Sequence, residues 1–393
     1  MSTASAAPIA AQEKQIYFHI GMPKTGTSHL QRVLFPALNP ERICFNDPEI
    51  MSLLRAQSSF ENIVWEFFLT DELKLRIAEA LDRIPAQKVL LSREAFLAFP
   101  FFDRTGAKDM PAEDAISDTM MRQSLDGLNM IKACFPGART IIVIRNQLDW
   151  IQSRYRQYIM SGEKMTFSRY VSYDGNKFTA RTDRSYTNMN AFALDYVKLI
   201  HLAEDIFGKD NVLVLAYEEF RDDQPSFNKK IANFIGESVP LPAAHQERTH
   251  RSFSALAIWV TIALRWILFP YVSSKAMHRY VSIRPLYHRI RSAIGAPAPA
   301  PANRTPIGGI LSLPYRMVLK GLGFLEGRFS LVSFLLYWRN FVQWGPDRWI
   351  YVDWDMWPAD LRRRVGAHYA KVNRELAGYL DKQIYEKYYR QPH

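Results

Sequence analysis

The chain has 393 residues, of which 48% are hydrophobic and 23% charged, so a disordered polypeptide is excluded and two or three packed units are expected. Fifty Lys and Arg against 39 Asp and Glu leave a net charge of +11, which points to an anionic ligand, nucleic acid or a membrane surface. Two cysteines, Cys44 and Cys134, are too few for a disulfide framework or a thiolate zinc site, and imply a reducing compartment.

Residues 1–15 carry neither a basic n-region nor an apolar h-region, so neither a secretory signal nor an N-terminal anchor is expected. Short β-branched runs then alternate with longer amphipathic stretches, the pattern of a parallel sheet with crossover helices. In chain order the spacing predicts a strand at 15–20, helices at 25–34 and 62–83, and a strand at 88–92. Beyond these come a helix at 119–134, a strand at 140–144, helices at 148–160 and 187–207, a strand at 211–216 and a helix at 224–235. Residues 253–354 are dense in Trp, Tyr, Phe and Arg and are split by a stiff Ala-Pro run at 295–302. Between Arg248 and Arg348 lie 14 Lys and Arg but only two acids, Glu326 and Asp347, so nearly all the surplus charge sits here. Helical spacing returns at 358–380, with Pro358 suited to a first turn. These shifts divide the chain into 15–252, 253–354 and 355–393.

Two motifs carry chemistry. In the first, an apolar strand runs into Gly21-Met-Pro-Lys-Thr-Gly26 and then into a helix, which aims unpaired N–H groups and a partial positive charge at an anion. The spacing approaches GxxxxGK[ST], but Thr27 stands where a nucleotide-triphosphate loop has its lysine, and the lysine is moved forward to Lys24. A donor without a γ-phosphate or bridging metal explains that relocation. In the second motif, the strand Thr140-Ile-Ile-Val-Ile ends at Arg145, and Ser153 follows eight residues later on a helix, where guanidinium and hydroxyl can share one ligand.

Pro23-Lys24-Thr25-Gly26-Thr27-Ser28 resembles the loop of sulfotransferases that binds the 5′-phosphosulfate of 3′-phosphoadenosine 5′-phosphosulfate (PAPS). The stretch from Arg145 to Ser153 resembles their 3′-phosphate site, although many members have Pro where this chain has Gln147. Residues 212–220 and 358–380 are also similar to family segments, and the likeness covers roughly 15–254 and 357–380. On these residues the chain is identified as similar to PAPS-dependent sulfotransferases, nearest to their bacterial and carbohydrate-type branch. The resemblance implies a P-loop-like, three-layer α/β fold with a central parallel sheet, PAPS as co-substrate, and no metal. It assigns donor binding to Pro23, Lys24, Thr25, Gly26, Thr27, Ser28, Arg145 and Ser153.

In-line transfer also needs a cation at the leaving phosphate, for which Lys24 is suited, and a base for the acceptor. The family uses His or Glu near the end of the next strand. No His lies between His29 and His201, so Glu94 is the candidate, with an ion pair to Arg93 or a helix-capping role as its other reading. His19 can instead position the acceptor or simply pack. Arg248, His250, Arg251 and Ser252 fall where the family has a closing loop and stay unassigned.

The run at 253–272 is almost continuously apolar apart from Arg265 and Pro270. It reads as a buried helix, an interfacial docking element or, less well given the central Arg, a membrane span. Nearby Arg279, Arg284, Arg289 and Arg291 with Tyr280, Tyr287, Trp338 and Trp344 favour anionic headgroups. No recognition module for nucleic acid is present, so none is expected as a partner. The expectation is a cytoplasmic enzyme, peripheral on the inner face of the membrane, that sulfates a carbohydrate, glycolipid or other small-molecule hydroxyl. A P-loop small-molecule kinase and a catalytically silent membrane- or glycan-binding protein are the alternatives.

Overall fold

The computed structural model describes residues 14–56, 58–61, 64–97, 119–161, 163, 165–171, 173–174, 177–178, 189–238, 253–268, 280–282, 328–330, 338, 341–342 and 352–390. The chain divides into two units. The first comprises Met1–Gln152, Phe167–Glu247 and Trp357–His393, and the second Ser153–Thr166 with Arg248–Met356.

The first unit is built on five parallel strands: β1 (Gln15–His19), β2 (Ile43–Phe45), β3 (Lys88–Ser92), β4 (Arg139–Ile144) and β5 (Val212–Ala216), in the spatial order β2-β3-β1-β4-β5. Because all five run the same way, the ends of β1, β3, β4 and β5 reach one edge, where sites of open parallel sheets form. Side chains alternate between two covered faces. Tyr17, Leu90, Ile141, Val143 and Leu215 meet Leu30, Leu34 and Phe35 of one helical segment and Phe227, Ile231 and Ile235 of another. Phe18 points the other way, onto Phe96 and Phe135, with ring centroids 5.8 and 5.0 Å away. Burial on both faces explains why these strands read as unbroken apolar runs.

Helix boundaries follow their caps. The helix expected at 25–34 starts at Thr27, because Lys24 and Gly26 take left-handed φ of 70° and 85° that prolong the loop. It continues through a π-helical turn, Leu30–Leu34, to Ala37. The helix expected at 62–83 is shorter. Val64–Phe67 pairs with Ser58–Glu61 as a hairpin, and the helix is Asp71–Arg83, capped by Thr70 Oγ, which accepts from Leu73 N at 3.1 Å. The helix expected at 187–207 is Tyr196–Phe207, started by an Asp195 cap, and residues 187–188 lie outside the described set. The expected helix at 358–380 stays α only over Ala359–Val372 and then tightens to 3₁₀ over Asn373–Gly378. Strand β2, the Pro48–Ala56 helix and an Asp381-capped helix, Lys382–Tyr388, were not foreseen.

In the second unit, the apolar run forms the helix Ala255–Leu268, and Ser254 Oγ caps it at Ala257 N. Ile258, Thr261, Ile262 and Arg265 are buried, and Trp338 Nε1 donates to Thr261 Oγ1 at 2.7 Å. Arg156 joins Phe253 O and the Asp353 carboxylate to this helix's start. Most of the basic aromatic residues of 269–351 lie outside the described residues. Among the described residues, no helix is long and apolar enough to cross a membrane.

Replacing Phe18 by Ala opens a hole between Phe96 and Phe135 in a layer with no solvent exposure, and should cost about 3–5 kcal/mol in chemical denaturation.

Candidate active site

The first loop leaves β1 at His19 and closes on itself before the helix begins. Thr25 is buried, and its hydroxyl donates to Met22 O at 2.5 Å, so that hydrogen is committed inside the loop. Thr27 is buried with a hydroxyl that has no partner, Ser28 is exposed, and no side chain caps the helix start. Its first amides are therefore free of intrahelical and side-chain acceptors. Gly26 at φ 85° holds a conformation that costs a side-chain-bearing residue strain.

The second motif meets this loop directly. Arg145 leaves the end of β4 and donates from Nη1 to the carbonyl of Lys24 at 3.1 Å, while its guanidinium lies 4.7 Å from the Tyr217 ring centroid. Trp150 Nε1 donates to Pro23 O at 2.7 Å. Two segments about 120 residues apart thus share hydrogen bonds. Asn146 caps the Gln147–Met160 helix through Oδ1, accepting from Leu148 and Asp149. Gln147, which stands in the place of the family's Pro, exchanges two side-chain amide bonds with Asn373, at 2.7 and 3.0 Å. Ser153 is the seventh residue of the same helix, is buried, and is counted with the second unit.

Glu94 opens a short 3₁₀ turn two residues beyond β3 and is half-buried. The strand register sets His19 opposite Ser92, and Arg93 N donates to His19 O at 3.0 Å, so the Lys24 loop and the Glu94 turn leave from neighbouring strand ends. Arg93 carries its charge over the Phe96 ring, 5.4 Å from the centroid, and burial lowers its pKa to about 10.

His19 is more constrained than its sequence position suggests. Gln31 Nε2 lies 2.9 Å from Ser92 Oγ and 3.4 Å from Ser92 O, and the carbonyl can only accept, which fixes the amide's orientation. The Ser92 hydroxyl accepts from that amide and shares a second hydrogen bond with His19 Nδ1 at 2.8 Å. The other ring nitrogen, Nε2, has no partner and fills the space where a Cβ on Gly21 would stand, 2.8 Å away. Burial alone lowers this pKa to about 3, so the ring is neutral at physiological pH.

Sequence reading did not find Trp150, Tyr217 and Glu218 as parts of this edge. Trp150 and Tyr217 had no local signal. Glu218, the second residue of a helix just after β5, carried the signal of an acid in a first turn, but its contact with Asn146 depends on the sheet order. Arg248, His250, Arg251 and Ser252, to which no role was assigned, lie outside the described residues. A pocket of about 400 Å³ lies at the opposite edge, beside Gln15, Lys88 and Arg139. Its cations are occupied: Lys88 binds the carbonyls of Ile235 and Gly236 and the Glu237 carboxylate, and Arg139 binds Phe234 O.

A parallel sheet between helical layers, with a tight strand-to-helix loop after its first strand and an arginine just beyond β4, makes a P-loop-like three-layer fold. The family model described as Sulfotransferase family matches residues 17–240, more than half of the chain, and the protein belongs to that family. Among solved structures, a sulfotransferase from Alicyclobacillus acidocaldarius is similar at 16% identity and a TM-score of 0.39, over 67% of this chain and 98% of that one. A mouse sulfotransferase complexed with PAP is similar at 16% identity and 0.29, over 58% and 60%. Retinol dehydratase in complex with androsterone and inactive cofactor PAP is similar at 15% and 0.22, over 64% and 63%. Among curated proteins, none matches the chain in sequence.

The neutral His19 has a consequence for stability. Its pKa is depressed in the folded state, so below pH 6.5 the unfolded chain takes up a proton that the native ring refuses, and stability falls as pH drops toward 3. Urea midpoints at pH 7 and pH 5 should diverge more for wild type than for His19→Gln. An equal fall in both proteins would show that the native ring accepts the proton.

Proposed function

We propose that this sulfotransferase moves the sulfuryl group of PAPS to a hydroxyl of a carbohydrate or glycolipid. The observation that carries the reading is the hydrogen bond from Arg145 to the carbonyl of Lys24, which joins the two anion-binding motifs. A donor phosphorylated at both ends of an adenosine needs such a pair. In this scheme the amides of the Gly26–Ser28 turn and Lys24 hold the 5′-phosphosulfate, and Thr25 and Pro23 keep that turn closed. Arg145 and Ser153 take the 3′-phosphate. The bond from sulfur to the bridging phosphate oxygen breaks as the acceptor oxygen bonds to sulfur, the acceptor proton passes to Glu94, and adenosine 3′,5′-bisphosphate leaves. Lys24 offsets the charge that grows on the leaving oxygen, so the scheme requires no metal.

The setting of His19 supports Glu94 as the base: the ring is fully buried and neutral, and Nδ1 is engaged by Ser92 Oγ. Titration calorimetry with adenosine 3′,5′-bisphosphate should show Lys24→Ala and Arg145→Ala each weakening binding about 10- to 100-fold, the worth of a charged hydrogen bond. Glu94→Gln should leave that affinity unchanged and lower turnover about 10²- to 10⁴-fold. An unaltered rate would remove Glu94 from the mechanism.

For the acceptor, a specific feature favours a lipid-linked molecule. Leu256, Trp259, Val260, Trp266 and Ile267 are exposed and recur at helical spacing along Ala255–Leu268, so they form one apolar stripe, with Arg265 on the buried side. Exposed Trp on a stripe within a strongly basic segment suits an anionic interface. We assign acceptor capture on the cytoplasmic leaflet to 253–354, and sulfuryl transfer to 15–252 with 355–393. The full chain should float with anionic vesicles at moderate salt, and Trp259→Ser with Trp266→Ser should abolish flotation. Wild type remaining in the soluble fraction would exclude membrane docking.

A further inference from the structure

The turn that carries Arg145 is held from behind by a buried carboxylate and by the far C-terminal segment. Glu218 is fully buried. Its Oε1 accepts the backbone N–H of Asn146 at 3.0 Å, and its Oε2 accepts the Tyr389 hydroxyl at 2.7 Å. The Asn146 side chain donates from Nδ2 to Tyr388 O at 2.6 Å, so the residue after Arg145 is fixed through both its main chain and its amide. A buried carboxylate is an expensive way to hold a turn that apolar packing could hold, unless its charge serves a neighbour. That neighbour is Arg145, which acts electrostatically on both Glu218 and Tyr389 and whose Nε is buried with no acceptor.

We propose that Glu218 and Tyr389 are positioning residues that keep the Arg145 guanidinium turned toward the donor's 3′-phosphate, so that the C-terminal segment sets selectivity for a 3′-phosphorylated nucleotide without touching it. This rests on the donor reading given above. The Tyr389 hydroxyl satisfies one carboxylate oxygen. Without it, that oxygen is left buried and unpaired, and Arg145, which already acts electrostatically on Glu218, has an Nε with no acceptor to offer it. The guanidinium then turns toward Glu218, away from its bond to Lys24 O and from the ligand. The loss falls first on the 3′ end of the nucleotide, because Arg145 touches the 5′ loop only through the Lys24 carbonyl, and the loop keeps its other supports, Trp150 to Pro23 O and Thr25 to Met22 O.

The test compares dissociation constants for adenosine 3′,5′-bisphosphate and adenosine 5′-monophosphate. Wild type should prefer the bisphosphate, and Arg145→Ala should erase the preference. Tyr389→Phe should weaken bisphosphate binding about tenfold and leave monophosphate binding unchanged, as the loss of one charged hydrogen bond predicts. Glu218→Gln, which keeps an acceptor for Asn146 N but no charge, should reduce the preference as well. Adding Tyr389→Phe to Arg145→Ala should change the preference no further, since coupled residues do not add. If Tyr389→Phe and Glu218→Gln weaken both nucleotides equally, or lower only the melting temperature, the two residues are structural supports and the proposal is overturned. A wild type that binds both nucleotides alike would instead overturn the donor reading itself.

Discussion

The hydrogen bond from the Arg145 guanidinium to the carbonyl of Lys24 is the contact on which the active edge depends. It forms because β1 and β4 are parallel neighbours, so the loop after one and the residue after the other emerge side by side. It also requires the Lys24 backbone to be left-handed, with φ 70°, a conformation that an L-residue adopts only when its surroundings enforce it. Those surroundings are visible. Trp150 holds the carbonyl of Pro23, Thr25 closes onto Met22, and Gly26 completes the reversal before the helix begins. The loop is shaped by its neighbours as much as by its own glycines.

Most of the sheet was legible because strands buried on both faces have nowhere to place polar residues. Four of its five strands were located to within a residue or so from their apolar runs. The fifth, Ile43–Phe45, is three residues long at a sheet edge and too short to show a pattern. The misplaced helix at 62–83 shows the opposite failure: an amphipathic period was extended backward over Val64-Trp-Glu-Phe67, whose Val and two aromatic residues suit the hairpin that forms. Thr70-Asp-Glu marked the true start, a cap followed by two acids. The C-terminal helix was missed although Asp381 caps it in the same way, because at seven residues it shows less than two periods.

The two motifs were readable because each packs its chemistry into consecutive residues. What joins them was not. Trp150, Tyr217 and Glu218 belong to this edge only once the strand order is known, and Gln147 shows the same limit from another side. Where many members of the family have Pro, its amide pairs with Asn373, more than 200 residues away in sequence, and thereby ties the helix start to the closing segment. A contact of that kind leaves no trace in local spacing.

The two edges of the sheet differ in how their polar groups are satisfied. At the amino edge, Lys88 has three acceptors, all at the end of the Gln224–Ile235 helix, and Arg139 has two, Phe234 O of that helix and Asp210 O of the turn before β5; Arg139 Nε and the neighbouring Thr140 Oγ1 are left over. Those cations finish a helix terminus, and Arg42, which also lines their pocket, reaches the Glu237 carboxylate at 3.5 Å. At the carboxyl edge the balance is reversed: His19 Nε2, Thr27 Oγ1 and Arg145 Nε are buried without partners within one short stretch of strand ends. Each such group costs about 1–3 kcal/mol, against a total stability of about 5–15 kcal/mol for a domain. Three such groups stand at the carboxyl ends of the strands, where the two motifs meet, against Arg139 Nε and Thr140 Oγ1 toward the amino ends.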